Sequence, residues 1–319
     1  MDKDNPESEI IETAAELIIR GELVAFPTET VYGLGGNGLD EHIVAKIFKV
    51  KGRRPDNPLI LHVYSREQAL SLVQGLDQEA ELLMDTFWPG PLTLVAPSRE
   101  KVPEIVRAGR RLASVRMPDH PVALALIKRA GVPIAAPSAN LSGRPSPTNA
   151  WHVREDFEGQ ISAILDGGPT GWGIESTVLD ISYKPYKVLR PGAVSIEQLN
   201  ALLSTPVQLG EGVATALHYQ PKARVLAIEK GTKIQELTAQ MLSNGNKVGI
   251  VIMPEENIPQ GLNMIVKIYG GAEEYGKRLY DIFRTADQEN IDVILMELPE
   301  EVGLGAAVAD RIRKAAQKA

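Results

Sequence analysis

The chain has 319 residues, 44% hydrophobic, 24% charged and 5% aromatic, with a net charge of -7 and no cysteine. That length predicts two domains, each burying its own core, and the composition is that of a globular chain, neither disordered nor fibrous. The missing cysteines exclude disulfides, thiolate nucleophiles and Cys-ligated zinc or iron–sulfur centres, and the acidic balance argues against strong nonspecific binding to nucleic acid, which needs many Lys and Arg contacts to phosphate.

Helical spacing of Ile10, Ile11, Ala14, Leu17 and Ile18 predicts a helix over 8–20, which Gly21 is placed to end. LVAF (23–26) reads as a buried strand, and further apolar or β-branched runs fall at 58–63, 91–97, 113–117, 132–136, 161–165 and 176–181. Helices are expected over 40–49, 77–87, 120–130 and 195–203. So many strands, some joined by helices and some by short turns, predict a mixed sheet with helices packed on it. Residues 204–223, with Gly and Pro and no periodicity, read as a linker. Beyond them strand and helix alternate: strands at 223–229, 247–254, 263–269 and 291–298, helices at 231–243, 272–287 and 305–317, predicting a small, mainly parallel α/β domain. The start MDKDNPESE is polar and acidic, unlike a signal peptide, and no apolar run approaches the roughly 18 residues of a membrane span, so a cytoplasmic location is expected.

Several chemistries lack their motif. There is no H-E-x-x-H, no G-x-S-x-G elbow and no G-x-x-x-x-G-K-[ST] loop. GLGAA (303–307) does not complete a dinucleotide fingerprint and has no correctly placed acidic partner. What stands out is charge and polarity at strand ends. Between Lys46 and Arg54 there are five basic residues and no acidic one, and Arg107, Arg110, Arg111 and Arg116 form a second cluster. Brought together they would make an anion site; apart they are solvated faces.

Three polar stretches accompany them. AFPTETVYGLGG (25–36) runs a strand into Thr28, Glu29, Thr30 and a Gly-rich turn, at the kind of strand end where α/β sheets bind ligands, although turn and cap chemistry would use the same residues. APSANLSGRPSPT (136–148) supplies Ser138, Asn140, Ser142, Ser146 and Thr148, which suit phosphate oxygens and hydrated Mg²⁺ or an ordinary surface loop. GIEST (173–177) and VLRPG (188–192) form the third set. Lys51 and Arg53 combine a point charge with a planar fork, a pairing suited to polyphosphate, and His62 lies on the next strand either as a ligand contact or as a structural histidine.

Taken in order, FPTETVYGLG, K-x-R with DNPLILH, WPGPLTLV, SVRMPDHP, PIAAPSAN-x-SG-x-PSPT, GGPT-x-x-G-x-EST and LRPG resemble the YrdC-like threonylcarbamoyl-AMP synthases over residues 8–205. HYQPKA and the C-terminal α/β segment resemble the long, two-domain form of that family. The resemblance implies a catalytic domain at 1–205 built as a twisted mixed sheet with flanking helices around a basic hollow. It implies a linker or lid at 206–223 and a Rossmann-like parallel α/β domain at 224–319. The implied reaction joins L-threonine, bicarbonate and ATP into threonylcarbamoyl-AMP and pyrophosphate, with Mg²⁺ accompanying the ATP phosphates. The product would pass to a tRNA threonylcarbamoyl transferase complex, direct tRNA contact being left open.

Carried over by position, Thr30, His62, Arg116, Ala136 and Ser176 would surround threonine. Arg53, Asn57, Leu112, Ser138, Asn140, Ser146 and Arg190 would contact ATP, with Ser138 and Asn140 near the metal. Lys51 and Arg53 would be the catalytic cations. Leu112 departs from the family, which often has a hydroxyl residue there; a backbone contact would survive the change and a side-chain contact would not. Tyr219 is expected to fold over the site, although the basic and aromatic segment that often precedes the H-Y pair is here GVATAL. The competing reading is an RNA-binding module using the basic hollow. It predicts stacking aromatics beside the cations, and only Phe48 lies close to the first cluster. A carbamoyl-transfer maturation factor with the same domain would bring a zinc-finger region, which a cysteine-free chain does not have.

Overall fold

The computed structural model describes residues 8–210, 220–230, 232–253 and 258–317. The chain divides into two units, Met1–Ser142 with Ser146–Thr215, and Gly143–Pro145 with Ala216–Ala319.

In the first unit the strands are β1 (Val24–Phe26), β2 (Gly33–Asn37), β3 (Ile60–His62), β4 (Leu92–Pro97), β5 (Leu112–Arg116), β6 (Ile134–Ala135), β7 (Ala163–Ile164), β8 (Thr177–Asp180), β9 (Lys187–Arg190) and β10 (Gln208–Leu209). They form one mixed sheet in the order β10-β9-β8-β4-β5-β3-β6-β2-β1-β7. The helices are α1 (Ser8–Ile19), α2 (Glu41–Lys51), α3 (Arg66–Leu70), α4 (Gln78–Phe87), α5 (Pro121–Ala130), α6 (Ala150–Phe157) and α7 (Ile196–Asn200).

Alternation along the strands sends side chains to opposite faces, and the two faces differ in kind. Leu23, Ala25, Leu61, Val63, Leu92, Leu94, Val115 and Leu179 join one core with Val44 and Ile47 of α2, Leu83 of α4, Val153 and Phe157 of α6, and Leu199 of α7. On the other face, Val24, Phe26, Ile134 and Ala136 pack against Ile11, Ala14 and Ile18 of α1 and Leu126 and Ile127 of α5. That second layer covers only the β1-β2-β6 end of the sheet. Thr93, His62 and Arg116 alternate onto the same face beyond it, and all three are buried there.

Residues 33–37, expected as a Gly-rich turn, are instead strand β2, paired antiparallel with β1 and β6. The glycines are there for close packing. A Cβ on Gly35 would lie 2.6 Å from Ile134 Cγ2 and 2.7 Å from Phe26 Cε1, and one on Gly36 2.6 Å from Ile43 Cγ2. α3, α6 and β10 had no forecast in the sequence.

The second unit contains β11 (Arg224–Ile228), α8 (Ile234–Ser243), β12 (Val248–Ile252), β13 (Met264–Lys267), α9 (Gly271–Gln288), β14 (Val293–Glu297) and α10 (Leu304–Ala316). Its sheet, ordered β11-β14-β12-β13, is parallel throughout, as expected. GLGAA has a structural explanation in the entry to α10: Gly303 is left-handed at φ 59, and a Cβ on Gly305 would fall on the Glu300 carbonyl oxygen.

Candidate active site

The first threonine-side residue is set by a local turn. Thr28 Oγ1 accepts from the Thr30 and Val31 amides, both at 3.2 Å, and donates to the Val31 carbonyl at 2.6 Å. The two hydroxyls lie 2.8 Å apart, close enough for one to donate to the other. Thr30 Oγ1 accepts in turn from Arg116 Nη1 at 3.0 Å. Arg116 is buried at 3% exposure; its Nε donates to the Gly90 carbonyl at 3.2 Å, and its Nη2 stands 2.6 Å from Glu29 Oε1. The last contact is off the hydrogen-bond direction and holds as an ion pair.

His62 is Arg116's register partner across β3 and β5. Burial and the neighbouring guanidinium push its imidazole down to about 3, against an upward pull from the Ile60 and Ile134 carbonyls. It is therefore neutral at physiological pH. Its ring meets Phe26 edge-on at 6.0 Å, and Nδ1 has no hydrogen-bond partner. Ala136 is fixed by its amide on the Ile60 carbonyl at 3.0 Å, and a Cβ on Gly33 would come within 3.2 Å of its methyl. Ser176, buried, touches Thr93 Oγ1 at 2.8 Å and receives Arg190: Nη2 reaches its carbonyl at 2.9 Å and its hydroxyl at 3.1 Å. A residue expected beside threonine and one expected beside ATP are thus bonded to each other.

The cationic stretch is shaped by the end of α2. Asp40 caps the helix start through the His42 and Ile43 amides, and Gly52, left-handed at φ 61, stops it and turns the chain. Lys51 is left on the buried side at 2% exposure. Its Nζ donates to the Ser138 carbonyl at 2.5 Å and to the Asn140 carbonyl, and lies 6.0 Å from the Phe157 ring. Burial, then repulsion from Arg53, holds the amine well below its ordinary range, with Asp156 opposing. Arg53 is half-buried and clasps its own turn, Nε on the Asn57 carbonyl at 3.4 Å and Nη2 on the Pro58 carbonyl at 3.2 Å. Ser138 Oγ donates to Asn140 Oδ1 at 2.5 Å, and Ser146 Oγ to Glu175 Oε1 at 2.7 Å, next to Ser176.

Leu112 opens β5 opposite Pro97, an even number of residues from Arg116 and so on the same face. Tyr219 lies outside the described residues. The second arginine cluster is split by the fold: Arg116 joins the site, whereas Arg107 and Arg111, with Arg99, line a separate open hollow of about 490 Å³. Arg54 pairs with Asp56 at 2.6 Å on the surface.

Reading from sequence passed over Glu175, Asp156 and Tyr32, and noted Glu29 without placing it in the site. Asp156 comes from α6 and accepts the Leu141 amide at 3.2 Å. Tyr32 ties three loops: its amide donates to the Pro147 carbonyl, its carbonyl accepts from Ala139, and its hydroxyl donates to Gly168 at 2.7 Å. Only its place inside the F-P-T-E-T-V-Y-G-L-G run hinted at this.

Among the described residues no group of three or more His, Cys, Asp or Glu is arranged to hold a metal ion. The donor set is one of hydroxyls, amides and cations around two cation-rich edges, suited to holding anions in register more than to supplying a nucleophile.

Residues 16–192 match the Sua5_yciO_yrdC family model, whose description is telomere recombination, and residues 194–317 match the model for the threonylcarbamoyl-AMP synthase C-terminal domain. A threonylcarbamoyl-AMP synthase of Pyrococcus abyssi is 45% identical over 96% of this chain and 93% of its own length. The chain belongs to the Sua5/YrdC family of threonylcarbamoyl-AMP synthases. A family member from Bacillus subtilis with that name is 41% identical over 96% of the chain and 92% of its own. The crystal structure of P. abyssi Sua5 complexed with L-threonine superposes with a TM-score of 0.92 at 44% identity, covering 98% of this chain and 95% of that one. Both units therefore have counterparts in one solved member of the family.

Proposed function

We propose that the chain is an L-threonylcarbamoyladenylate synthase, a nucleotidyltransferase that forms threonylcarbamoyl-AMP and pyrophosphate from L-threonine, bicarbonate and ATP. The observation that carries the substrate assignment is Arg116, a buried guanidinium beside a neutral histidine and a threonine hydroxyl on the open face of the sheet. Nε and one N–H of Nη1 are engaged by carbonyl and hydroxyl oxygens, which leaves N–H groups on both terminal nitrogens for a substrate carboxylate. A P. abyssi relative complexed with L-threonine supports the same reading.

In this reading threonine's amine and CO₂ give a carbamate, whose oxygen attacks the α-phosphorus of ATP as pyrophosphate departs. Two polyanions must approach to bonding distance, so the work falls to positioning and charge. Thr30, His62, Arg116, Ala136 and Ser176 hold threonine; Arg53, Asn57, Leu112, Ser138, Asn140, Ser146 and Arg190 hold ATP. Arg190, bonded to Ser176, keeps the two halves in register. Lys51 braces the Ser138 and Asn140 carbonyls and so shapes the nucleotide loop from beneath. The adjacent Ser138 hydroxyl and Asn140 amide oxygen would face the hydrated Mg²⁺ that comes with ATP, which would supply charge neutralisation at the phosphates. Tyr219 would act as a lid that keeps water from the mixed anhydride. The first unit would be catalytic, and the product would go to a tRNA-modifying transferase complex in the cytoplasm. An RNA-binding surface has less support, because Lys51 and Arg116 are too buried to meet a polynucleotide backbone.

Arg116→Lys keeps a charge beside Glu29 but loses the fork, and should raise the threonine KM by about 10- to 100-fold while the ATP KM stays within about threefold. Equal rises for both substrates would remove Arg116 from the carboxylate contact.

A further inference from the structure

Four carboxylates are buried among the described residues, and three have hydrogen-bond donors. Glu175 takes the Ser146 hydroxyl, Asp156 the Leu141 amide and Glu297 the Met253 amide at 2.6 Å. Glu29 is the exception. At 8% exposure, neither of its oxygens accepts a hydrogen bond, and its one close partner is Arg116 Nη2, approached off-axis. A carboxylate whose task is to neutralise a buried arginine would be expected to take its N–H groups head-on, because an ion pair out of water repays its desolvation only with good geometry.

Local charge points the same way. Asp119 follows Arg116 by three residues, and its carboxyl is pushed up by burial and by the negative charge of Glu29. Glu29 therefore has a second carboxylate within electrostatic reach, and a further cation would offset their repulsion. An α-amino acid brings one. Its carboxylate and ammonium are two bonds apart, and Arg116 at the end of β5 stands side by side with Glu29 of the turn that carries Thr30, donor next to acceptor, at 2.6 Å.

We propose that Glu29 receives the α-ammonium group of the amino-acid substrate, so that Arg116 and Glu29 recognise a zwitterion together. The proposal rests on the synthase reading above and adds a determinant for the amine. It explains why a buried acid in the P-T-E-T turn is left unsatisfied in the chain alone: its hydrogen-bond partner is the ligand.

The test is calorimetric titration of the full chain with L-threonine and with 2,3-dihydroxybutyrate, which keeps the carboxylate and side chain and replaces the amine by a hydroxyl. Glu29→Gln should weaken threonine binding by about 30-fold and change binding of the hydroxy acid by less than about threefold. If Glu29 only positions Arg116, both ligands lose affinity together, because both present a carboxylate; that result overturns the proposal. Should Glu29→Gln fail to fold, Glu29→Asp decides the matter: threonine affinity falling about fivefold more than hydroxy-acid affinity supports it, and equal losses overturn it. Failure of the wild-type chain to bind threonine would instead sink the synthase reading, and the two failures are told apart by the wild-type titration alone.

Discussion

Burial and the Arg116 guanidinium hold the His62 imidazole down to about 3, whereas an unfolded chain would protonate it near the ordinary histidine value of about 6.5. Between those values the unfolded state binds a proton that the folded state does not, so stability rises with pH across that window and falls on acidification. This one side chain should cost about 2 kcal/mol of stability at pH 5 relative to pH 8. Denaturant unfolding at the two pH values, for the wild type and for His62→Gln, measures it: the mutant should lose that part of the acid sensitivity, and an unchanged difference would show that His62 is not the group responsible. Sequence could single out His62 but left its role open between ligand contact and structural histidine. Its neutrality comes from burial and from Arg116, which is 54 positions away and adjacent only through strand pairing. Glu29 and Tyr32 went unplaced for the same reason, since their partners are distant in the chain and a single sequence does not display such pairs.

At the level of elements, regular amphipathic helices and β-branched runs announced themselves, and the failures have physical causes. β2 was missed because GLGGN has side chains only at Leu34 and Asn37, too few to show alternation; its glycines answer to neighbours at Phe26 and Ile134. α6 was missed because its buried face is mixed, carrying His152 and Asp156 beside Val153 and Phe157. Gly192, in the LRPG turn, is a constraint of the same kind inside the site. A Cβ there would lie 2.3 Å from the Thr177 amide nitrogen, 2.4 Å from the Ser176 carbonyl carbon and 2.5 Å from the Glu175 oxygen, all backbone that cannot swing aside. Gly192→Ala should therefore cost about 1–3 kcal/mol and push Ser176 away from Arg190. Turnover should drop at least about tenfold even where the variant remains folded. A folded Gly192→Ala enzyme of full activity would show that the Ser176–Arg190 bond is dispensable.

For the whole molecule, the mixed sheet and the parallel sheet were legible although not every element was, because strand and helix periodicities change visibly near the Gly- and Pro-bearing segment at 204–223. Which cations converge was not: Arg107 and Arg111, in the loop before β5, line one hollow, and Arg116 lies at the far end of that strand. The cationic stretch beginning at Lys46 is likewise divided, with Lys51 buried, Arg53 half-buried and Arg54 paired at the surface. If these groups serve one reaction, pyrophosphate release by the full chain tests it most directly. Release from ATP should require L-threonine and bicarbonate together and fall to background when either is omitted or when threonine is replaced by another amino acid. Release that persists without threonine, or without bicarbonate, would contradict it.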